Sequence, residues 1–98
     1  MSKFEIHSQI DKLIEPHDKY KHFSKVKKAA EGGNIDEQFR LAKLYHNGEG
    51  TENNLEEAFR WYQKAAENGN KNAQYNLASL YYNGEGTVKN LEKAFFWF

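Results

Sequence analysis

The sequence has 98 residues, and its 14 Lys plus Arg against 14 Asp plus Glu leave a formal charge of zero. That is one small domain, without the basic excess of a nucleic-acid binder or of a protein held to anionic lipid. The absence of cysteine excludes disulfides, thiolate metal sites and a cysteine nucleophile, and no apolar run approaches the ~18 residues that cross a bilayer.

The first residues, Met1 to His7, hold no apolar segment of signal-peptide length, so the expected location is cytoplasmic. Ile6, Ile10, Leu13 and Ile14 keep helical spacing until Pro16, which ends or kinks that helix or opens the next. Tyr20, Phe23, Val26 and Ala30 then form a second helical stripe. From about Ile35 to Asn47, Phe39, Leu41, Ala42, Leu44 and Tyr45 recur at threes and fours, which predicts a helix with one apolar face. Asn34 is its expected N-cap, with Glu37 placed as in a capping box. Gly48 can take the left-handed conformation that closes a helix. After a loop from Glu49 to Asn53, Asn54 caps another helix, again with a Glu, Glu57, in third place. Leu55, Ala58, Phe59, Tyr62, Ala65 and Ala66 form its buried stripe, Trp61 stands at the edge, and Gly69 ends it.

A further pair starts at Asn70 and reuses the plan. Lys28-Ala29-Ala30-Glu31 returns as Lys64-Ala65-Ala66-Glu67, and Asn47-Gly48-Glu49-Gly50-Thr51 returns as Asn83-Gly84-Glu85-Gly86-Thr87. The offset is always 36, and between residues 28–62 and 64–98 about 22 of 35 positions are identical, which is the mark of a stacked repeat. Shifted by one period, Phe23 lies on Phe59 and Ala29-Ala30 on Ala65-Ala66. Residues 17–31 therefore read as the second helix of an eroded repeat, and residues 4–15 as a cap on the end of the stack. The expected organisation is residues 1–33 as N-terminal cap and half repeat, 34–69 as one repeat and 70–98 as another. Small alanines let helices approach while Tyr, Phe, Leu and Trp fill the gaps. No alternating strand pattern is present, so the fold class is all-α, a solenoid of antiparallel helix pairs. The last helix begins at Asn90 and runs only about two turns, short for a helix standing alone. It ends Phe95-Phe96-Trp97-Phe98, with Phe96 where the earlier copy has the solvent residue Arg60. The expectation is a truncated array that continues in a longer parent or self-associates through this helix.

These residues resemble the Sel1-like repeat family. Ala73, Leu77, Ala78, Tyr81, Gly84 and Gly86 match the family's first helix and Gly-x-Gly loop; Ala58, Trp61, Tyr62, Ala65, Ala66 and Gly69 match its second helix. The resemblance covers residues 23–98, and Glu37 departs from it where the family has a small Ala. Tetratricopeptide repeats are related, but their period is about 34 and their turn shorter. The resemblance implies a protein-interaction adaptor, often in signalling or complex assembly. It also implies an alternative, a regulatory repeat segment of a larger enzyme such as a protein kinase. Sel1-like β-lactamases depend on many cysteines, which this chain lacks.

No catalytic constellation is visible. His7, His17, His22 and His46 show no His-Glu-x-x-His spacing, so a surface or capping role is expected over a metal site. Gly48-Glu49-Gly50 and Gly84-Glu85-Gly86 lack the third glycine and the preceding strand of a phosphate loop, and read as turns. Glu56 and Glu57 point in different directions on a helix and suit its positive N-terminus. Trp61 and Trp97 recur with the period, as packing demands. Neither cofactor nor metal is expected. Function is read instead where the copies differ. On the first helices, Asp36, Arg40, Lys43 and His46 have Asn72, Asn76, Ser79 and Tyr82 as their counterparts in the second copy. First helices line the concave side of such stacks. The expected partner-binding residues are Arg40, Lys43, His46, Asn76, Ser79 and Tyr82. They form a basic-to-neutral face suited to a protein or an acidic peptide that ends on an aromatic contact, with no nucleic acid or membrane. The plainer alternative is an ordinary solvated helix surface.

Overall fold

The computed structural model describes residues 18–98. They hold five helices and, among the described residues, no strand: α1 (residues 18–31), α2 (Ile35–Asn47), α3 (Leu55–Glu67), α4 (Lys71–Asn83) and α5 (Leu91–Trp97). The cap expected over residues 4–15, with Pro16, His7 and His17, lies outside the described residues. No described helix is long and apolar enough to cross a membrane.

The helices start where asparagine can accept a backbone hydrogen bond. The side chains of Asn34, Asn54, Asn70 and Asn90 accept from the N–H of Glu37, Glu57, Ala73 and Lys93 at 3.0, 3.0, 2.8 and 3.0 Å. Each such cap stabilises its helix by about 1 kcal/mol. The reciprocal half of the expected capping boxes does not form. The N–H of Asn34 is already donated to the Ala29 carbonyl and that of Asn54 to the Tyr45 carbonyl, so the two glutamates have no donor to reach. They turn instead to Arg40, at 3.7 Å from Glu37, and Arg60, at 3.1 Å from Glu57. At the other end of α2 and α4, Gly48 and Gly84 adopt φ 69° and donate to the Leu44 and Leu80 carbonyls, the left-handed closure the sequence requires.

Packing repeats as the sequence does. Phe23 of α1 meets Tyr45 of α2 edge-on at 5.2 Å and 85°, and Phe59 of α3 meets Tyr81 of α4 at the same distance and angle. Gln38 Nε2 donates to the Ala30 carbonyl at 3.3 Å, and Gln74 Nε2 to the Ala66 carbonyl at 3.2 Å. A Cβ placed on Gly50 would run into the Lys19 carbonyl, and one on Gly86 into the Leu55 carbonyl. In each of these contacts α1 stands to α2 as α3 stands to α4. The core is a single cluster running through all five helices. Ala30, Ala42, Ala58, Ala65, Ala73 and Ala94 are buried at the helix crossings, where a larger side chain would push the axes apart. Leu41, Leu77, Leu80 and Tyr62 fill the space between them.

Candidate functional site

The outward residues of α2 and α4 are set by the burial of their neighbours. Leu41, Ala42, Leu44 and Tyr45 go into the core, as do Leu77, Ala78, Leu80 and Tyr81. The helical turn therefore leaves Arg40 and Lys43 exposed, His46, Asn76 and Ser79 half-buried, and Tyr82 48% exposed. This matches the placement expected from spacing.

The charges on this surface are less free than composition implies. The Arg40 guanidinium pairs with Glu37 one turn earlier at 3.7 Å, an exposed contact worth little by itself. The Lys43 ammonium lies over the Phe39 ring, 5.3 Å from its centre. The Lys89 ammonium, from the loop after α4, lies over the Tyr82 ring, 5.9 Å from its centre. The stems of both lysines cover aromatic surface. Arg40 and Lys43 join Asp36, Phe39, Asn70 and Asn72 around a hollow of about 260 Å³ between α2 and the start of α4.

One residue that spacing assigned only to the core reaches this surface with a polar atom. Tyr62 of α3 is 1% exposed, and its hydroxyl lies 3.4 Å from His46 Nδ1 on α2. His46 and Phe39 also pack against the Tyr62 ring, at 6.0 and 5.9 Å between centres. Burial pushes the Tyr62 phenol up to about 12, against a smaller lowering by the Asn76 side chain. The structure thus places His46 against the buried Tyr62 phenol and Arg40 and Lys43 beside one hollow. Asn76, Ser79 and Tyr82 form part of neither group. The sequence signal for Tyr62 was a difference between copies, since Phe98 stands in its place one period later.

Gln38, 1% exposed, was also missed. Besides bonding the Ala30 carbonyl it accepts from Asn68 Nδ2 at 3.3 Å, which ties α1, α2 and the end of α3 together. Its recurrence as Gln74 was the available signal. Among the described residues, no group of three or more His, Asp or Glu is arranged to hold a metal ion.

Comparison with known proteins places this geometry. The Sel1 repeat family model matches residues 38–70 and 71–98, the first starting four residues after Asn34 and the second one residue after Asn70. No curated protein matches the chain. Among solved structures, a Sel1 repeat protein from Oxalobacter formigenes superposes with a TM-score of 0.78 at 32% identity, over 81% of this chain and 23% of that one. The c5321 protein, a protective antigen of uropathogenic Escherichia coli strains with an SLR fold, gives 0.78 at 29% identity, over 80% of this chain and 17% of that one. Cysteine rich protein B of Helicobacter pylori gives 0.75 at 28% identity, over 79% and 58%. The chain thus spans less than a quarter of the first two and 58% of the third.

Proposed function

The chain belongs to the Sel1 repeat family, and from that premise we propose that it is a scaffold that holds a partner protein or peptide on the surface shared by α2 and α4. Repeats of this family generally serve protein–protein interaction. The observation that carries the reading is where the two copies agree and where they part. Inward residues of α2 and α4 are identical pairs: Leu41 and Leu77, Ala42 and Ala78, Leu44 and Leu80, Tyr45 and Tyr81. Most outward residues differ, among them Arg40 and Asn76, Lys43 and Ser79, His46 and Tyr82, although the exposed Asn47 and Asn83 agree. Packing accounts for the first set and leaves the second to recognition. Arg40 and Lys43 take the acidic part of the partner, and Tyr82 takes an apolar or aromatic residue. The role is that of a non-enzymatic adaptor in complex assembly or signalling in the cytoplasm.

The test is titration with a labelled acidic peptide that ends in phenylalanine, with Arg40→Glu plus Lys43→Glu as the variant. Reversing two contact charges is expected to weaken binding about tenfold or more, with helical circular dichroism unchanged. Binding equal to that of the unaltered protein refutes the surface. A second reading, self-association, has its own observation: Leu91, Phe95, Phe96, Phe98 and Tyr75 are all exposed, Phe96 to 76%. Apolar patches of this kind favour association. Sedimentation that stays monomeric across a wide concentration range counts against it.

A further inference from the structure

Charge on this chain balances overall but is unevenly placed. α1 carries five lysines, Lys19, Lys21, Lys25, Lys27 and Lys28, against Asp18 and Glu31. It is three charges positive, and the other residues together are three charges negative. Lys21, Lys25 and Lys28 stand at i, i+4 and i+7, on one face of the helix. All three are exposed, while Phe23, Val26 and Ala30 of the same helix are buried. Among the described residues the ion pairs are Arg40 with Glu37 and Arg60 with Glu57, and no lysine of α1 takes part in one. Like charges one turn apart destabilise a helix. One period on, α3 has Glu57, Trp61 and Lys64 in the same three places, so the packing of a repeat does not call for the stripe.

The stripe borders a hollow of about 460 Å³ between α1 and α2, lined by His22, Lys25, Val26 and Ala29 from the first and Glu37 and Arg40 from the second. Its one carboxylate, Glu37, is already 3.7 Å from Arg40. Arg40 also lines the hollow that holds Lys43, so the positive surface is continuous from α1 across α2. Charge alone suits any polyanion, and the hollow chooses among them. Val26 and Ala29 set apolar surface beside the cations, a place for an apolar side chain flanked by carboxylates. A phosphate backbone has no such side chain to offer. The apolar stripe of α1 lies in the core, so this helix has no free apolar face to enter a bilayer. Spacing agrees with a peptide: Lys21 and Lys25 are about 6 Å apart along the helix axis, and an extended strand turns a side chain to the same side about every 6.6 Å.

We infer that the lysine face of α1 and the hollow beside it seat an acidic segment of a partner protein, with carboxylates on Lys21, Lys25 and Lys28 and one apolar side chain between α1 and α2. The inference rests on the proposal that this chain is a scaffold for an acidic partner. It adds a second contact surface, joined to the first at Arg40, and the apolar residue that is read there.

The probe is a synthetic peptide, blocked at both ends, with glutamates on either side of one leucine, titrated into the full chain. Lys21→Gln plus Lys25→Gln plus Lys28→Gln removes the exposed stripe and is expected to weaken binding about tenfold, with circular dichroism unchanged. Replacing the leucine of the peptide by alanine is expected to weaken binding about fivefold. Amide NMR signals of Lys25 and Ala29 are expected to shift as peptide is added, a readout that needs no variant. Absence of binding to the unaltered protein, or equal binding to the triple variant, overturns the seat. Equal affinity for the alanine peptide overturns the apolar contact, and tighter binding of duplex DNA or of phosphatidylserine vesicles at the same ionic strength overturns the choice of a protein partner. Lys43→Glu reports separately on the α2–α4 surface, because Lys43 lines the other hollow. Binding lost in the triple variant and kept in Lys43→Glu supports the seat and counts against that surface; the reverse result refutes the seat and leaves that surface standing.

Discussion

Gly86→Ala separates two costs that usually arrive together. Gly86 has φ 72°, and a Cβ there meets the Leu55 carbonyl carbon at 2.6 Å and the Glu56 nitrogen at 3.2 Å. Gly69 has φ 96°, with nothing within 4 Å of an added Cβ. Alanine in the left-handed region costs roughly 1–2 kcal/mol wherever it stands. At Gly69 that is the whole effect. At Gly86 the first turn of α3 must also give way, and overpacking of this kind adds typically 1–3 kcal/mol. Gly69→Ala is therefore expected to lose about 1–2 kcal/mol and Gly86→Ala about 2–5 kcal/mol. The second figure approaches the whole stability of a small domain, about 5 kcal/mol or somewhat more. Urea unfolding followed by circular dichroism measures both, with fluorescence of Trp61 and Trp97 as a second probe, because stacked repeats can lose single-step behaviour. Equal losses for the two variants would refute the close loop-to-helix approach as a determinant of the fold.

Three other perturbations test separate links. Gln38→Ala removes a buried side chain that bonds the Ala30 carbonyl and Asn68, and should cost about 1–3 kcal/mol in urea unfolding. Asn54→Ala deletes the cap on Glu57 N–H and should cost about 1 kcal/mol, with hydrogen exchange rising first in the opening turn of α3. Alkaline stability has a definite sign. The Tyr62 phenol is raised from 10.0 to about 12 by burial, so on raising the pH the unfolded chain ionises first. The stabilisation is complete below about pH 10 and is lost between about 10 and 12, at no more than about 1.4 kcal/mol per pH unit. Urea midpoints for Tyr62→Phe should fall less steeply over that range than those of the unaltered protein; parallel curves would mean the phenol is not buried as described.

The helices were legible because their determinants are local. The threes-and-fours spacing of Phe39, Ala42 and Tyr45, the Asn34 and Asn54 caps and the Gly48 closure all act within a turn or two, and α2 and α3 run from Ile35 to Asn47 and from Leu55 to Glu67. The capping boxes were half wrong for a non-local reason. Whether the Asn34 N–H is free depends on the Ala29 carbonyl, which is set by how one helix turns into the next. The candidate surface was legible in the same uneven way. Exposure of Arg40 and Lys43 followed from helical periodicity, but their neighbours Glu37 and Phe39 engage them through rotamers that spacing does not specify. Tyr62 was hidden because an apolar stripe treats tyrosine as a ring. The position of its hydroxyl beside His46 depends on how α3 packs against α2, a quantity of the packed molecule alone.

The paired junction contacts bear on how such a chain can change length. Asn34 N–H meets the Ala29 carbonyl at 3.1 Å and Asn70 N–H meets the Ala65 carbonyl at 3.0 Å, while Asn54 and Asn90 meet Tyr45 and Tyr81 at 2.9 Å each. A duplication that inserts a second copy of residues 34–69 in frame would make each new boundary from groups that already meet elsewhere in the protein. An in-frame insertion that is not a whole number of periods would place an asparagine N–H opposite the wrong carbonyl. For this molecule the smallest addition that leaves every junction intact is a whole period.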